Sequence, residues 1–169
     1  MSDPNWDAGV DVNVLALPIH GNWTMAIEYV DAAKRLKFVV NDTADAPADA
    51  PQAGGGGQQA GQIATASLVR NQWNYSRDRA CNANGDPKAP VNPANCLIPD
   101  APPGALIGKL GGSIAGKTSD ALKAFVVGSF CIIDIDDKWK GTLYLAMNAD
   151  PLSQLERAGQ LAVKIYRSG

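Results

Sequence analysis

The stretch CLIPDAPPGALIGKL, Cys96–Leu110, is where the architecture of this 169-residue chain first declares itself. A proline-stiffened loop, opened by a cysteine, runs straight into a strand built almost wholly of small and aliphatic residues. Two pieces of the same kind follow, FVVGS at Phe125–Ser129 and GTLYLAMNAD at Gly141–Asp150. Each is a short apolar run bounded by turn residues, the pattern of a buried strand.

Working outward, alternation with a period of two dominates. In Val10–Leu17, the residues Val10, Val12 and Val14 alternate with Asp11 and Asn13. In Trp23–Val30, one face carries Trp23, Met25, Ile27 and Tyr29, with Thr24, Ala26 and Glu28 opposite. After a turn at Asp31–Lys34, Leu36, Phe38 and Val40 point one way. Helical spacing fits these segments less well. The second half predicts strands at Ile63–Val69, Ala105–Leu110, Phe125–Val127, Phe130–Ile135, Thr142–Met147 and Leu161–Tyr166. Ser119–Ala124 and Leu152–Arg157 are short helical candidates. Many short strands separated by turns predict an all-β antiparallel sandwich. Residues 42–62, DTADAPADAPQAGGGGQQAGQ, lack large apolar side chains and are expected to form a long flexible Ala/Pro/Gly-rich loop inside one domain spanning 1–169.

Composition narrows the function. Fifteen basic and 17 acidic residues, net −2, are spread without a basic stripe, which gives a nucleic-acid partner no support. No apolar run approaches ~18 residues, so no membrane insertion by a helix is expected. MSDPNWDAGVDVN lacks the features of a signal peptide, which implies a cytoplasmic protein or export by another route. Of the three cysteines, Cys81 and Cys96 flank a polar loop. A disulfide there would stabilise the fold by roughly 3 kcal/mol, and free thiols are the alternative. Cys131, within FCIIDI, reads as a small buried apolar residue.

Several motifs offer chemistry. GGSIAGKT, Gly111–Thr118, satisfies the phosphate-loop pattern, with Lys117 for phosphates and Thr118 and Asp134 for a metal. That motif must open a substantial helix in a parallel sheet, and SDALKA is too short before the next strand. The lone histidine, His20, sits in a turn without a partner for acid–base work. Asp134, Asp136 and Asp137 run into Lys138 and Lys140, the profile of a solvated strand end. Among the tryptophans, Trp23 reads as core, and Trp73 and Trp139 as the freer candidates for stacking on a sugar ring. No catalytic constellation emerges, and the chain is expected not to be an enzyme.

Taken in order, CLIPDAPPGALIGKL, FVVGS and GTLYLAMNAD resemble the bacterial calcium-dependent galactophilic lectins of the PA-I type. The resemblance covers most of the chain and implies a jelly-roll type β-sandwich of the galactose-binding domain-like kind. In that family two loops hold a calcium ion whose shell is completed by sugar hydroxyls, chemistry that needs hard oxygen ligands. Carried over, the resemblance implies Asp45, Asn148, Asp150, Ser153 and Glu156 as metal ligands. Ala149 and Arg157 stand at positions where the family has oxygen ligands, and a guanidinium cannot coordinate a cation. Two readings stand: calcium bound by a shifted loop, or Arg157 in the ion's place, paired with Asp150 or Glu156. The implied sugar contacts are Asp86, Asn92, Asn95, Asp150, Ser153 and Glu156, on loops 41–47, 86–95 and 148–157. The expected function is recognition of a glycan, galactose-type by resemblance, by a homo-oligomer (dimer or tetramer). The alternative is a non-catalytic interaction protein that has lost calcium and sugar binding.

Overall fold

The computed structural model describes residues 5–16, 23–31, 34–40, 72–76, 79–89, 92–111, 122–136, 139–150 and 157–168. The expected strand Ile63–Val69, the loop 42–62, His20 and Lys117–Thr118 lie outside them. The described elements are strands, with one 3-10 turn at Pro93–Asn95. The strands are β1 (Val10–Leu15), β2 (Thr24–Val30), β3 (Arg35–Val40), β4 (Gln72–Ser76), β5 (Arg79–Asn82), β6 (Leu106–Gly111), β7 (Leu122–Val126), β8 (Phe130–Asp134), β9 (Gly141–Met147) and β10 (Ala158–Ser168).

They form two antiparallel sheets, and the all-β sandwich expected from the sequence is what the chain adopts. One sheet runs β5-β4-β10-β3-β8, with β1 also on β10; the other runs β2-β9-β6-β7. The long β10 organises the first sheet, pairing Val10–Leu15 of β1, all of β3 and the middle of β4. Between the sheets lie Val14, Leu36, Phe38, Leu161, Val163 and Ile165 from the first and Leu106, Leu110, Leu143 and Leu145 from the second. Phe38 and Phe125 meet across the gap with ring centroids 5.8 Å apart. Gly108 makes room for that contact, because a Cβ there would stand 2.6 Å from the Phe125 ring. The small residue in an otherwise aliphatic strand is therefore a packing requirement.

Four sequence expectations are corrected. On β2, Met25 and Tyr29 are more than half exposed. The register with β9 shifts between Met25 and Ile27 and again before Val30. Bulges turn Ile27 and Val30 inward and leave Met25 outside, which strict alternation cannot anticipate. Trp23 accordingly sits against the Lys109 ammonium, 4.6 Å from its ring centroid, not in the core. Trp73 is the opposite case: it is fully buried on β4, a strand the sequence reading missed. Finally, Leu122–Ala124 is strand, not helix, since β7 pairs with β6 along its length.

The antiparallel frame also leaves the phosphate-loop motif without its setting. Gly111 ends β6, and Asp134 ends β8 in the other sheet, where it pairs with Arg35 at 2.6 Å.

Candidate functional site

The loop Cys96–Ala105 lies across one end of the sandwich, and Asn148 holds it there. Asn148 follows β9 and is completely buried. Its Oδ1 accepts from the Ile98 N–H at 2.9 Å, and its Nδ2 donates to the carbonyls of Ile98, Ala101 and Pro102 at 3.0, 3.1 and 3.2 Å. Its own backbone pairs with Gly104 N–H and Ala105 C=O, both at 2.7 Å. One side chain thereby satisfies a proline-rich turn that has no ladder of its own to join.

Gly104 is the second fixed point. Its carbonyl accepts from the Trp73 indole N–H at 2.7 Å and from the Cys81 thiol at 3.6 Å. Its φ is +80°, and a Cβ would stand 2.5 Å from Cys81 Sγ. Only glycine fits both the conformation and the space. Cys81 is buried beneath it, and desolvation pushes its thiol up to about 12. Cys96 is also buried, its thiol raised by burial and by the Asp150 charge. Both are free thiols; of the two alternatives for this pair, the bridge is not made.

Around this clasp lie four of the six expected sugar-contacting residues, Asp86, Asn92, Asn95 and Asp150. Asp86 accepts from the Tyr75 hydroxyl at 2.8 Å, the Lys88 N–H at 2.8 Å and Arg79 at 3.4 Å, and these bonds hold its carboxyl below the ordinary range. Its backbone N–H donates to Pro103 C=O. Asn92 accepts from the Ala94 N–H and opens the 3-10 turn that carries Asn95; both asparagines are exposed. Asp150 is half-buried, two residues beyond Asn148. Asp86, Asn92, Asn95, Asn148 and Asp150 therefore share one end of the molecule, stitched together through residues 96–105. Asp45, Ser153 and Glu156 lie outside the described residues.

Arg157 turns inward at this end. Its Nη2 donates to the Asp150 carbonyl at 2.6 Å, and its Nε is buried with no hydrogen-bond partner among the described residues. Burial lowers its pKa, and the Asp150 charge partly restores it. Of the expected calcium ligands that are described, Asn148 Oδ1 accepts from a backbone N–H and the Arg157 guanidinium stands on the Asp150 backbone carbonyl, while Ala149 brings no side-chain oxygen.

The opposite end carries a feature that sequence reading missed. Where β2 ends and β3 begins, Tyr29, Val30, Asp31 and Lys34 face the end of β10 across a cleft of about 350 Å³. Asp7 closes one side: it accepts from Arg167 Nε and Arg167 N–H, both at 2.9 Å, and from Gly9 N–H. These contacts draw residues far apart in sequence to one place, and no local motif marks them.

Compared with protein-family models, with curated proteins and with solved structures, the chain matches none.

Proposed function

We propose that the protein is a non-catalytic, lectin-like carbohydrate-binding module of the jelly-roll type, recognising a glycan through its Asn148-clasped loop end without a calcium ion. The observation that carries this reading is the clasp itself. Fourfold anchoring by Asn148 makes residues 96–105 a rigid base, beside which Asp86, Asn92, Asn95 and Asp150 can meet sugar hydroxyls without an ordering cost. The likeness of CLIPDAPPGALIGKL, FVVGS and GTLYLAMNAD to the galactophilic lectins favours a galactose-type glycan. The carboxylates do not suggest a proton-transfer site. Asp86 is held ionised by its donors, and Asp134 is paired with Arg35. A shallow polar site binds weakly alone, so useful avidity calls for a dimer or tetramer.

The inward Arg157 also favours a second reading, an interaction protein that keeps the sandwich and has lost its ligand. A glycan array probed with and without EDTA separates the two. Binding of galactose-terminated glycans that survives EDTA is the expected result. No glycan bound in either condition overturns the proposal in favour of the second reading. Binding abolished by EDTA, together with a large drop in melting temperature, overturns its ion-free part.

A further inference from the structure

We infer that the cleft at the β2–β3 end is a binding site for a neutral saccharide unit, distinct from the loop end and on the far side of the sandwich. It goes beyond the proposed function and shares with it only the class of ligand.

The cleft has the build of a small-molecule site: an apolar floor under a polar rim, at a volume within the usual range of about 300–1,000 Å³. Val30, almost fully buried, forms the floor, and Tyr29, 56% exposed, forms a wall. An exposed phenol ring beside an aliphatic floor suits the C–H face of a pyranose. Ser168 also lines the cleft, its Oγ accepting from Arg35 N–H at 3.2 Å. A second cleft of about 260 Å³ adjoins the first and shares Lys34 and Ser168 with it.

The rim chemistry selects the ligand. Asp7 and Asp31 supply acceptors, Arg167 and Lys34 supply donors, and the two signs balance. A free anion entering the cleft meets two carboxylates, and a free cation meets a guanidinium and an ammonium. Hydroxyls, which both donate and accept, can add to the Asp7–Arg167 pair and to the Asp31 and Lys34 rim without bringing a charge of their own. The Asp7–Arg167 pair is preset by three hydrogen bonds onto Asp7, so the acceptor side needs no reorganisation on binding.

The test is a residue-resolved NMR titration of the full chain with galactose, glucose and N-acetylglucosamine, with glucuronate and glucosamine as charged comparators. Amide shifts at Tyr29, Lys34 and Ser168 that saturate with a neutral sugar are the expected result. Tyr29→Ala should weaken that binding about threefold to tenfold, the equivalent of one aromatic contact. Lys34→Gln should weaken the neutral sugar while leaving the fold intact, as both side chains lie at the surface. No shift at these amides up to the solubility limit of the sugars overturns the inference. So does tighter binding of glucuronate or glucosamine than of the neutral sugars. Shifts confined to Asp86–Asn95 overturn it while upholding the proposed function. Shifts confined to the cleft uphold it while counting against the loop-end site.

Discussion

The two ends of the sandwich use polar residues in opposite ways. At the loop end the polar groups beneath the surface are spent on the chain itself: Asn148 on four backbone bonds, the Trp73 indole on Gly104, Arg157 on the Asp150 carbonyl. At the β2–β3 end the charged pairs lie open, with Arg35–Asp134 at 46% and 77% side-chain exposure and Arg167–Asp7 at 47% and 34%. A buried polar group left without its partner costs far more than an exposed one, so the Asn148 clasp carries stability, while the groups open to a ligand are Asn92 and Asn95 beside it and the charged pairs of the other end. A run of Asn, Asp and Pro residues in a loop is thus weak evidence of a ligand site, because much of it can be turned inward.

The largest expected effect tests that contrast at its centre. Asn148→Leu removes the side-chain bonds to Ile98 N–H and to the Ile98, Ala101 and Pro102 carbonyls at once, leaving the Ile98 and Pro102 carbonyls only the Ala101 and Ala105 N–H groups, and should destabilise by roughly 3 kcal/mol or more, read from urea denaturation. Asn148→Asp sharpens the point. A calcium ligand would tolerate or gain from a carboxylate, whereas the clasp loses its Nδ2 donors and faces three carbonyls with a negative charge. A stability loss as large as that of the leucine variant, unchanged by added calcium, is the expected outcome; full rescue by calcium would return Asn148 to the ion.

Next is Gly104→Ala, which combines a positive φ with a contact 2.5 Å from Cys81 Sγ. Strain and overpacking together predict a loss of roughly 2 to 4 kcal/mol. Adding Cys81→Ala removes the clash but not the backbone strain, so the double variant should cost less than the sum of the singles. Strict additivity would mean that the Cys81 contact does not limit the site.

Acid stability compares the ends directly. Asp86 is held low by the Tyr75 hydroxyl first, then the Lys88 N–H and Arg79. Asp7 is held low chiefly by the Arg167 N–H. A carboxylate depressed in the folded state contributes stability that is fully present above its unfolded pKa and is lost as pH falls through the folded one. Asp86→Asn and Asp7→Asn should therefore each lower the melting temperature at neutral pH, and each difference from wild type should shrink between about pH 5 and pH 2. Differences that persist unchanged at low pH would mean that the charge is not what these residues contribute.

How much of this was legible follows from the distances along the chain over which each feature is built. β3 is a local alternation, Leu36, Phe38 and Val40 against Arg35, Lys37 and Val39, and its inward face follows from the sequence alone. β2 alternates just as cleanly, yet its bulges against β9 reverse the outcome, since a bulge is set by the partner strand and leaves no mark on the residues themselves. β4 was hidden because Trp73 and Tyr75 among Gln72, Asn74 and Ser76 look equally like an exposed aromatic platform. At the loop end Asn148 was picked out, but an amide gives no sign in sequence of whether it faces an ion or a backbone turn. The cleft could not be read at all: residues 7, 29–31, 34 and 167–168 meet only because β10 pairs with both β1 and β3.

The smallest expected effect belongs to Asp134. In sequence it reads as part of a solvated strand end, with the metal-binding aspartate of a nucleotide site as the rival offered by the phosphate-loop pattern. In the structure its Oδ1 accepts from Arg35 Nε at 2.6 Å, on a side chain 77% exposed. Short as the contact is, water screens both partners, and ordering two long side chains offsets most of the attraction. Asp134→Asn should therefore change stability by no more than about 0.5 kcal/mol, and added salt should erase that difference. If the site bound magnesium and a nucleotide, the same substitution would abolish a thermal shift produced by ATP with magnesium in the wild-type protein; no such shift is expected in either. A stability loss several times larger, insensitive to salt, would show that this end is tied together as firmly as the loop end, and the contrast between them would collapse.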